Sequence, residues 1–432
     1  MEDTIQTLQK WNPWWGTTQV PEALRGIERE NKLLLLKALD AKQIKDIIGI
    51  RRAGKTTLLY QVIDELLKAK INPRDIIFIR FDDPGISKIS LEQLETVLYQ
   101  ISPQPQYLFL DEIQEKKGWE KWVKTIYDLQ RFKQIFITGS STALLSKELG
   151  TLLTGRHLSF QLMPFSFREY LLVQGWTNFN PSYLSAEKGK VLYHLNQYLT
   201  QSGFPEAIVH EKSLTKTILT GIYNDIIFRD IISRHEIEAS KLQMLAYYLI
   251  TNSSKEYSYR SLARAAGINT ETAERYFGFM QEAFLVFSLN LFSYKLRSQF
   301  KQNKKVYCID PGLWNAIAFQ FLEDYGRAYE NLVFLELKRR GKEIYYWKSS
   351  QEKEVDFIIK EGLKVTKLIQ VCYRMPQEKT KKREIESLLA ACVEFHLKEG
   401  LILTEDFSAV EQRAGCKIIF MPVWRWLLEK EE

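Results

Sequence analysis

Two stretches carry residues whose types and spacing could act together: GIRRAGKTT at 49–57 and YLFLDEIQ at 107–114. The first fits G-x-x-x-x-G-K-[ST] in full. It follows an apolar run and opens a helical stretch, the context in which such a loop cradles phosphates. Backbone N–H groups of Gly49, Ile50, Arg51, Arg52, Ala53 and Gly54 would surround phosphate oxygens, helped by the positive end of the helix beginning near Lys55. Lys55 would neutralise β- and γ-oxygens, and Thr56, ahead of Thr57, would offer a hydroxyl to Mg2+. In the second stretch four apolar residues form a buried strand whose end delivers Asp111 to the metal's water shell. Glu112 then stands where it could orient and deprotonate an attacking water. Merely holding a nucleotide needs no second carboxylate, so the pair points to hydrolysis. The plainer alternative for Glu112 is a solvated loop acid.

Two further segments extend this set. QIFITGSS ends a strand in small polar residues, and Ser140 or Ser141 would hydrogen-bond a γ-phosphate or the lytic water; a simple turn explains them equally well. In TGR (154–156), Arg156 either reaches the nucleotide of a neighbouring subunit or pairs with a nearby acid. The first role requires a homo-oligomer.

The elements that must hold these residues follow from periodicity. From about 43 to 161, short apolar runs (IKDIIGI, DIIFIRFDD, YLFLDEIQ, QIFITGSS) alternate with amphipathic stretches, which predicts a parallel sheet covered on both faces. Residues 166–250 show helical periodicity. Residues 251–310 read as a helix-turn-helix followed by strands, and 311–432 as a second small α/β domain. With 432 residues, several domains are expected. The four cysteines show no paired spacing and read as reduced thiols. MEDTIQTLQKWNPWW is not a signal peptide, and no apolar run approaches a membrane span, so a cytoplasmic protein is expected. Sixty Lys+Arg against 53 Asp+Glu permit a polyanionic partner without demanding one.

GIRRAGKTT, YLFLDEIQ, ITGSS, LLTGR and MPFSFREYL, in this order and spacing, resemble the AAA+-type ATPases of bacteria and archaea that carry a C-terminal DUF4143 domain. NPWW, SGFPEAI, DIIFRDI and CIDPGLW add to the likeness, which covers nearly the whole chain. The resemblance implies an N-terminal segment (1–30), a P-loop ATPase core (31–165), a helical lid (166–250), a winged helix (251–310) and a restriction-endonuclease-like α/β domain (311–432). ATP and Mg2+ are the implied cofactors. It also makes Arg229 in IIFRDI a candidate nucleotide sensor. NPWW would either clamp the adenine edge or bury its tryptophans by packing.

Downstream, two features concern nucleic acid. YSYRSLARAAGINTETAERYFGFMQEAFLV (257–286) would place its second helix in a major groove, yet Glu271, Glu274 and Glu282 suit a polyanion poorly. The basic segment that follows is better suited to phosphates through Lys295, Arg297, Lys301, Lys304 and Lys305, giving DNA contact without sequence reading. The terminal segment's order of helix, three strands, helix and strand resembles the PD-(D/E)XK nucleases. By that likeness Glu330 and Asp356 match acidic positions, while Gln370 and Cys372 replace the metal-binding glutamate and the lysine. A neutral amide is a weak Mg2+ ligand, and a thiol supplies no positive charge, so a degenerate nuclease site is expected. The chain reads as a Mg2+-dependent ATPase working on DNA or a DNA-associated partner. A signalling switch and an ATP-gated nuclease are the alternatives.

Overall fold

The computed structural model describes residues 2–139, 153–294, 302–318, 325–374 and 378–429. It divides into two compact units, Met1–Pro164 with Glu282–Phe284, and Phe165–Gln281 with Leu285–Glu432.

The first unit begins with helix α1 (Glu2–Trp11) and is built on strands β1 (Ile44–Ile48), β2 (Ile76–Arg80), β3 (Tyr107–Asp111), β4 (Gln134–Gly139) and β5 (His157–Gln161). These pair in the order β2-β3-β4-β1-β5, every pairing parallel. Strands buried on both faces need near-continuous apolar runs, and the four segments expected from sequence supply β1 to β4, while β5, HLSFQ at the sheet edge, is only partly buried. Helices α2 (Lys55–Lys68), α3 (Leu91–Ile101) and α4 (Trp119–Asp128) pack on the sheet. Register aligns Asp111 with Arg80 and Ile48 with Gly139. The C-terminal ends of these parallel strands therefore gather the start of the phosphate-loop motif, Asp111 and the end of β4.

An exposed edge strand invites unwanted pairing. Here the N-terminal segment closes the β2 edge. Asn12 donates to the Phe78 carbonyl at 2.8 Å and accepts from the Phe78 N–H at 2.7 Å, as a neighbouring strand would. The indoles of Trp14 and Trp15 both donate to the Ile76 carbonyl. Trp14, fully buried, meets Tyr60 of α2 edge-on, and Tyr60 in turn packs on Phe78. Packing is thus what NPWW does in this structure.

In the second unit, α5 (Lys188–Gln201), α6 (Lys212–Asp225) and α7 (Ala239–Thr251) make the helical region, with a π-helical turn at Ile226–Ile231. Next come β6 (Glu256–Tyr257), α8 (Tyr259–Ala266), α9 (Thr270–Glu282), β7 (Val286–Asn290) and β8 (Lys304–Cys308). The strands form an antiparallel sheet of order β6-β8-β7. Gly267 ends α8 at φ +65°, and Asn269 caps α9 by accepting from the Thr272 N–H at 2.7 Å.

The remaining segment forms α10 (Tyr325–Arg339), β9 (Glu343–Lys348), β10 (Glu354–Glu361), β11 (Lys364–Cys372), α11 (Glu378–Phe395), β12 (Glu399–Thr404), β13 (Ala409–Arg413) and β14 (Cys416–Pro422). Its six-stranded mixed sheet runs β13-β14-β12-β11-β10-β9. Strand β13 had no signal in the sequence, because AVEQR on a sheet edge buries almost nothing. Cys392 and Cys416 are free thiols whose sulfurs lie 2.7 Å apart in the core, a meeting of α11 with β14 that sequence spacing did not reveal. Among the described residues no helix is long and apolar enough to cross a membrane.

Replacing Asn12 with alanine strips partners from both backbone groups of Phe78. At about 1–3 kcal/mol for each buried polar group left unpaired, the loss should be evident in urea denaturation. Unchanged stability would show that Asn12 does not close the edge.

Candidate active site

The loop between β1 and α2 is shaped by backbone conformations that few residues adopt. Gly49 sits at φ +151°, where a Cβ would come within 2.1 Å of the Leu162 carbonyl oxygen, so no side chain fits. Arg52 (φ +64°) and Gly54 (φ +94°) are also left-handed. Such alternation turns successive N–H groups toward one concavity, which suits an anion. Lys55 is buried, its ammonium donating to the carbonyls of Gly49 at 2.9 Å and Ile50 at 3.1 Å.

Asp111 is fully buried at the end of β3. Its carboxylate accepts from the Thr56 hydroxyl at 2.9 Å and from the Thr138 hydroxyl at 2.6 Å. Loss of water pushes its pKa up to about 6, and the charge of Glu112 pushes the same way; the two threonines and Arg80 pull it back. Glu112 follows in a left-handed conformation, φ +51° and ψ +47°. Its N–H donates to Thr138 Oγ1 at 3.1 Å, and the Gln114 amide donates to its carboxylate. A non-glycine residue held there stores strain of about 1–3 kcal/mol, which the flanking hydrogen bonds sustain.

Three of these participants were missed from sequence. Thr138 lies in the same ITGSS segment as the serines singled out, but one step inside the strand. Gln114 closes YLFLDEIQ. Arg80 faces Asp111 only through strand register. The oxygens of Thr56 and Asp111 are hard donors brought together by the fold, as a magnesium site requires.

The other residues fall as follows. Ser140 lies outside the described residues, as do Lys295, Arg297 and Lys301. Arg156 pairs with Asp128 at 2.9 Å, one of the two roles open to it. Its carbonyl accepts from the Ile44 N–H, at the sheet edge opposite the phosphate loop. Arg229 is exposed on the π-helical turn. Lys304 lies with its ammonium 5.5 Å from the ring centre of Tyr259.

Lys305 is a correction. Read as a phosphate contact, it is instead buried, with 4% exposure. Its ammonium lies 2.6 Å from Glu354, 2.9 Å from Glu330 and 3.2 Å from Asp356. Burial opposes its charge, but these carboxylates and Tyr307 more than offset that and hold it protonated. The structure thus brings Glu330 and Asp356 together, and fills the space between them with a cation from β8. Strand alternation points Lys305 inward, a fact that its place in a basic run concealed.

Gln370 joins the same cluster. Its carbonyl accepts from the Asp356 N–H at 3.2 Å, and its amide donates to Glu384 at 2.7 Å. Arg383 grips the other oxygen of Glu384 at 2.6 Å. Asp356 also accepts from the Val371 N–H at 2.9 Å, where side chain replaces backbone in the β10–β11 ladder. A glutamate at 370 would set two carboxylates against each other; the amide satisfies a donor and an acceptor at once. Cys372 is buried, its thiol donating to the Arg374 carbonyl at 3.3 Å and its pKa pushed up to about 11 by burial.

Comparison with known proteins adds the following. Residues 41–171 match the model of an AAA domain, AAA_14. Residues 192–323 and 325–425 match two domains of unknown function, DUF8612 and DUF4143. An uncharacterized protein of Methanocaldococcus jannaschii is 34% identical over 428 residues, covering 95% of this chain and 93% of that one. One from Haemophilus influenzae is 28% identical over 412 residues, covering 92% and 98%. Among solved structures, a Walker-type ATPase of Pyrococcus abyssi aligns with 67% of this chain and 95% of its own, at 15% identity and a TM-score of 0.44.

Two outcomes follow from the buried charges. The pKa of Asp111 is raised on folding from 3.8 to about 6, so the folded state holds the proton more tightly and stability falls as pH rises through that window. In nucleotide-free protein, Asp111→Asn should therefore stabilise above about pH 6, by at most about 3 kcal/mol, with the gain vanishing near pH 4. A gain independent of pH in denaturation curves would contradict this. Lys305→Met leaves Glu330 and Asp356 without their cation, while Glu354 keeps Lys348 at 3.2 Å, and should cost about 3–5 kcal/mol at neutral pH. Burial raises the pKa of Glu330 to about 7 and also raises that of Asp356, so protonation should shrink that cost as pH falls. A loss unchanged between about pH 5 and 8 would show that charge is not its origin.

Proposed function

Because the chain belongs to the family of AAA-type P-loop ATPases that carry a C-terminal DUF4143 domain, we propose that it binds ATP with Mg2+ at Gly49–Thr57 and hydrolyses it. The observation that supports this most is the buried Asp111, hydrogen-bonded to Thr56 of the loop and to Thr138 of β4, with Glu112 beside it. A buried carboxylate whose charge burial opposes is an expensive feature, and it gains a purpose where a cation is to be held.

The residues take up separate tasks. Loop N–H groups bind the phosphates, and Lys55 exchanges its two carbonyl partners for phosphate oxygens. Thr56 and Asp111 would hold the magnesium ion, which supplies charge neutralisation at the phosphates when bound. Glu112 accepts the proton of the attacking water while Gln114 keeps its carboxylate oriented. Ser140 is the candidate for contact with the γ-phosphate, and Arg229 for sensing the nucleotide. Arg156 would serve a neighbouring subunit only by releasing Asp128, so a homo-oligomer is part of the proposal that this ion pair opposes.

Turnover would drive conformational work by the second unit in the cytoplasm, on DNA or a DNA-associated partner. With Lys305 committed to the acid cluster, phosphate contact would rest on Lys304 with Lys295, Arg297 and Lys301. The nuclease alternative loses ground, since an internal ammonium already sits among Glu330, Glu354 and Asp356 where a metal ion would have to bind.

Phosphate release measured with Mg2+, with and without duplex, branched and single-stranded DNA, tests the proposal. Wild type should turn over ATP, Lys55→Ala should lose at least about a hundredfold, and added DNA should raise the rate in a salt-sensitive way. No Mg2+-dependent turnover would end the ATPase reading. Turnover indifferent to every DNA would end its coupling to DNA and favour the switch.

A further inference from the structure

A phosphate loop binds anions only if its N–H groups point inward, which turns its carbonyls outward into the protein, where they need donors. Lys55 serves the carbonyls of Gly49 and Ile50. The carbonyl of Ala53 is served from outside the motif, by Arg29. This arginine is buried at 2% exposure; one nitrogen, Nη1, donates to Ala53 and the other, Nη2, donates to Met163 at 2.7 Å. The same Nη1 lies 3.3 Å from where a Cβ on Gly54 would be, directly against the last turn of the loop.

Arg29 is itself held from α2. Its N–H donates to the Gln61 side chain at 3.0 Å, and the amide of Gln61 donates to the carbonyls of Arg25 and Ile27. Gly26, at φ +50°, brings this segment so close that a Cβ would lie 3.1 Å from the Thr57 methyl. The segment before β1 is thus docked on the helix that the loop opens. The Arg29 guanidinium lies against the outward-facing side of the loop.

We infer that Arg29 is a positioning residue for nucleotide binding: it fixes the Ala53 carbonyl outward, so that the loop is shaped for phosphate before any nucleotide arrives. Through Met163 it also ties that shape to the end of the first unit, where Pro164 leads out. This inference rests on the nucleotide reading above.

Equilibrium binding of a fluorescent ATP analogue, with Mg2+, to full-length wild type, Arg29→Met, Arg29→Lys and Lys55→Ala tests it. All are measured well below each protein's own melting temperature. Arg29→Met should bind about ten- to a hundredfold more weakly, as removing a charged hydrogen bond from a preorganised loop implies. Arg29→Lys keeps the charge but offers one nitrogen in place of the planar fork whose two nitrogens reach Ala53 and Met163 separately, and should fall between. A purely structural arginine would lower the melting temperature and leave the affinity of folded protein within about twofold of wild type; that result overturns the inference. Should Arg29→Met not fold, Arg29→Lys decides alone, and wild-type affinity in it is the overturning outcome. Wild type that binds no better than Lys55→Ala would instead overturn the nucleotide reading, and this inference with it.

Discussion

Everything in the first unit is arranged around one carboxylate that has no access to water. Four apolar residues drive β3 into the core, and Asp111 is carried in with them. An unpartnered charge there would cost several kcal/mol, so its two oxygens must find donors. They find Thr56 at the start of α2 and Thr138 in β4. Those two hydrogen bonds register three separate elements on one another. The loop, the end of β3 and the end of β4 therefore form one site and not three neighbouring features.

The same rule governs the second unit with the opposite outcome. Glu330, Glu354 and Asp356 would repel one another if simply buried together, and the chain settles them with Lys305 from β8. At Asp111 the hydroxyls of Thr56 and Thr138 answer the charge; near Asp356 the protein supplies a cation from its own sequence. Residual burial costs for an ion cluster of this kind are large, and its value lies in fixing one arrangement of β8, α10 and β10. Gln370 belongs to that arrangement, since it mediates between the Asp356 backbone and Glu384.

What the sequence disclosed and what it withheld divide along contact range. Four of the core strands, α2 and the phosphate loop were legible because periodicity and the G-x-x-x-x-G-K-[ST] spacing are local. So were Asp111 and Glu112, which close an apolar run. Strand order was not, and with it went the pairing of Arg80 with Asp111. Arg29 and Glu384 carried no signal, and NPWW drew notice for its tryptophans and not for Asn12, because each of the three acts on residues far away in the chain. Lys305 was misread for a related reason: a lysine in a basic run looks solvated until the sheet shows which way it faces. Gln370 and Cys372 looked like losses from a metal site. Geometry gives Gln370 two partners of its own, while Cys372 packs with the apolar core of the terminal sheet.

In the proposed mechanism Glu112 takes a proton from the attacking water, while the loop, Lys55 and Thr56 hold the nucleotide. The most direct test of that step is the identity of the nucleotide retained by Glu112→Gln after prolonged incubation with ATP and Mg2+. If the account holds, the variant keeps its affinity and yields intact ATP on denaturation, while wild type yields ADP. Recovery of ADP from Glu112→Gln, at the rate seen in wild type, would contradict it.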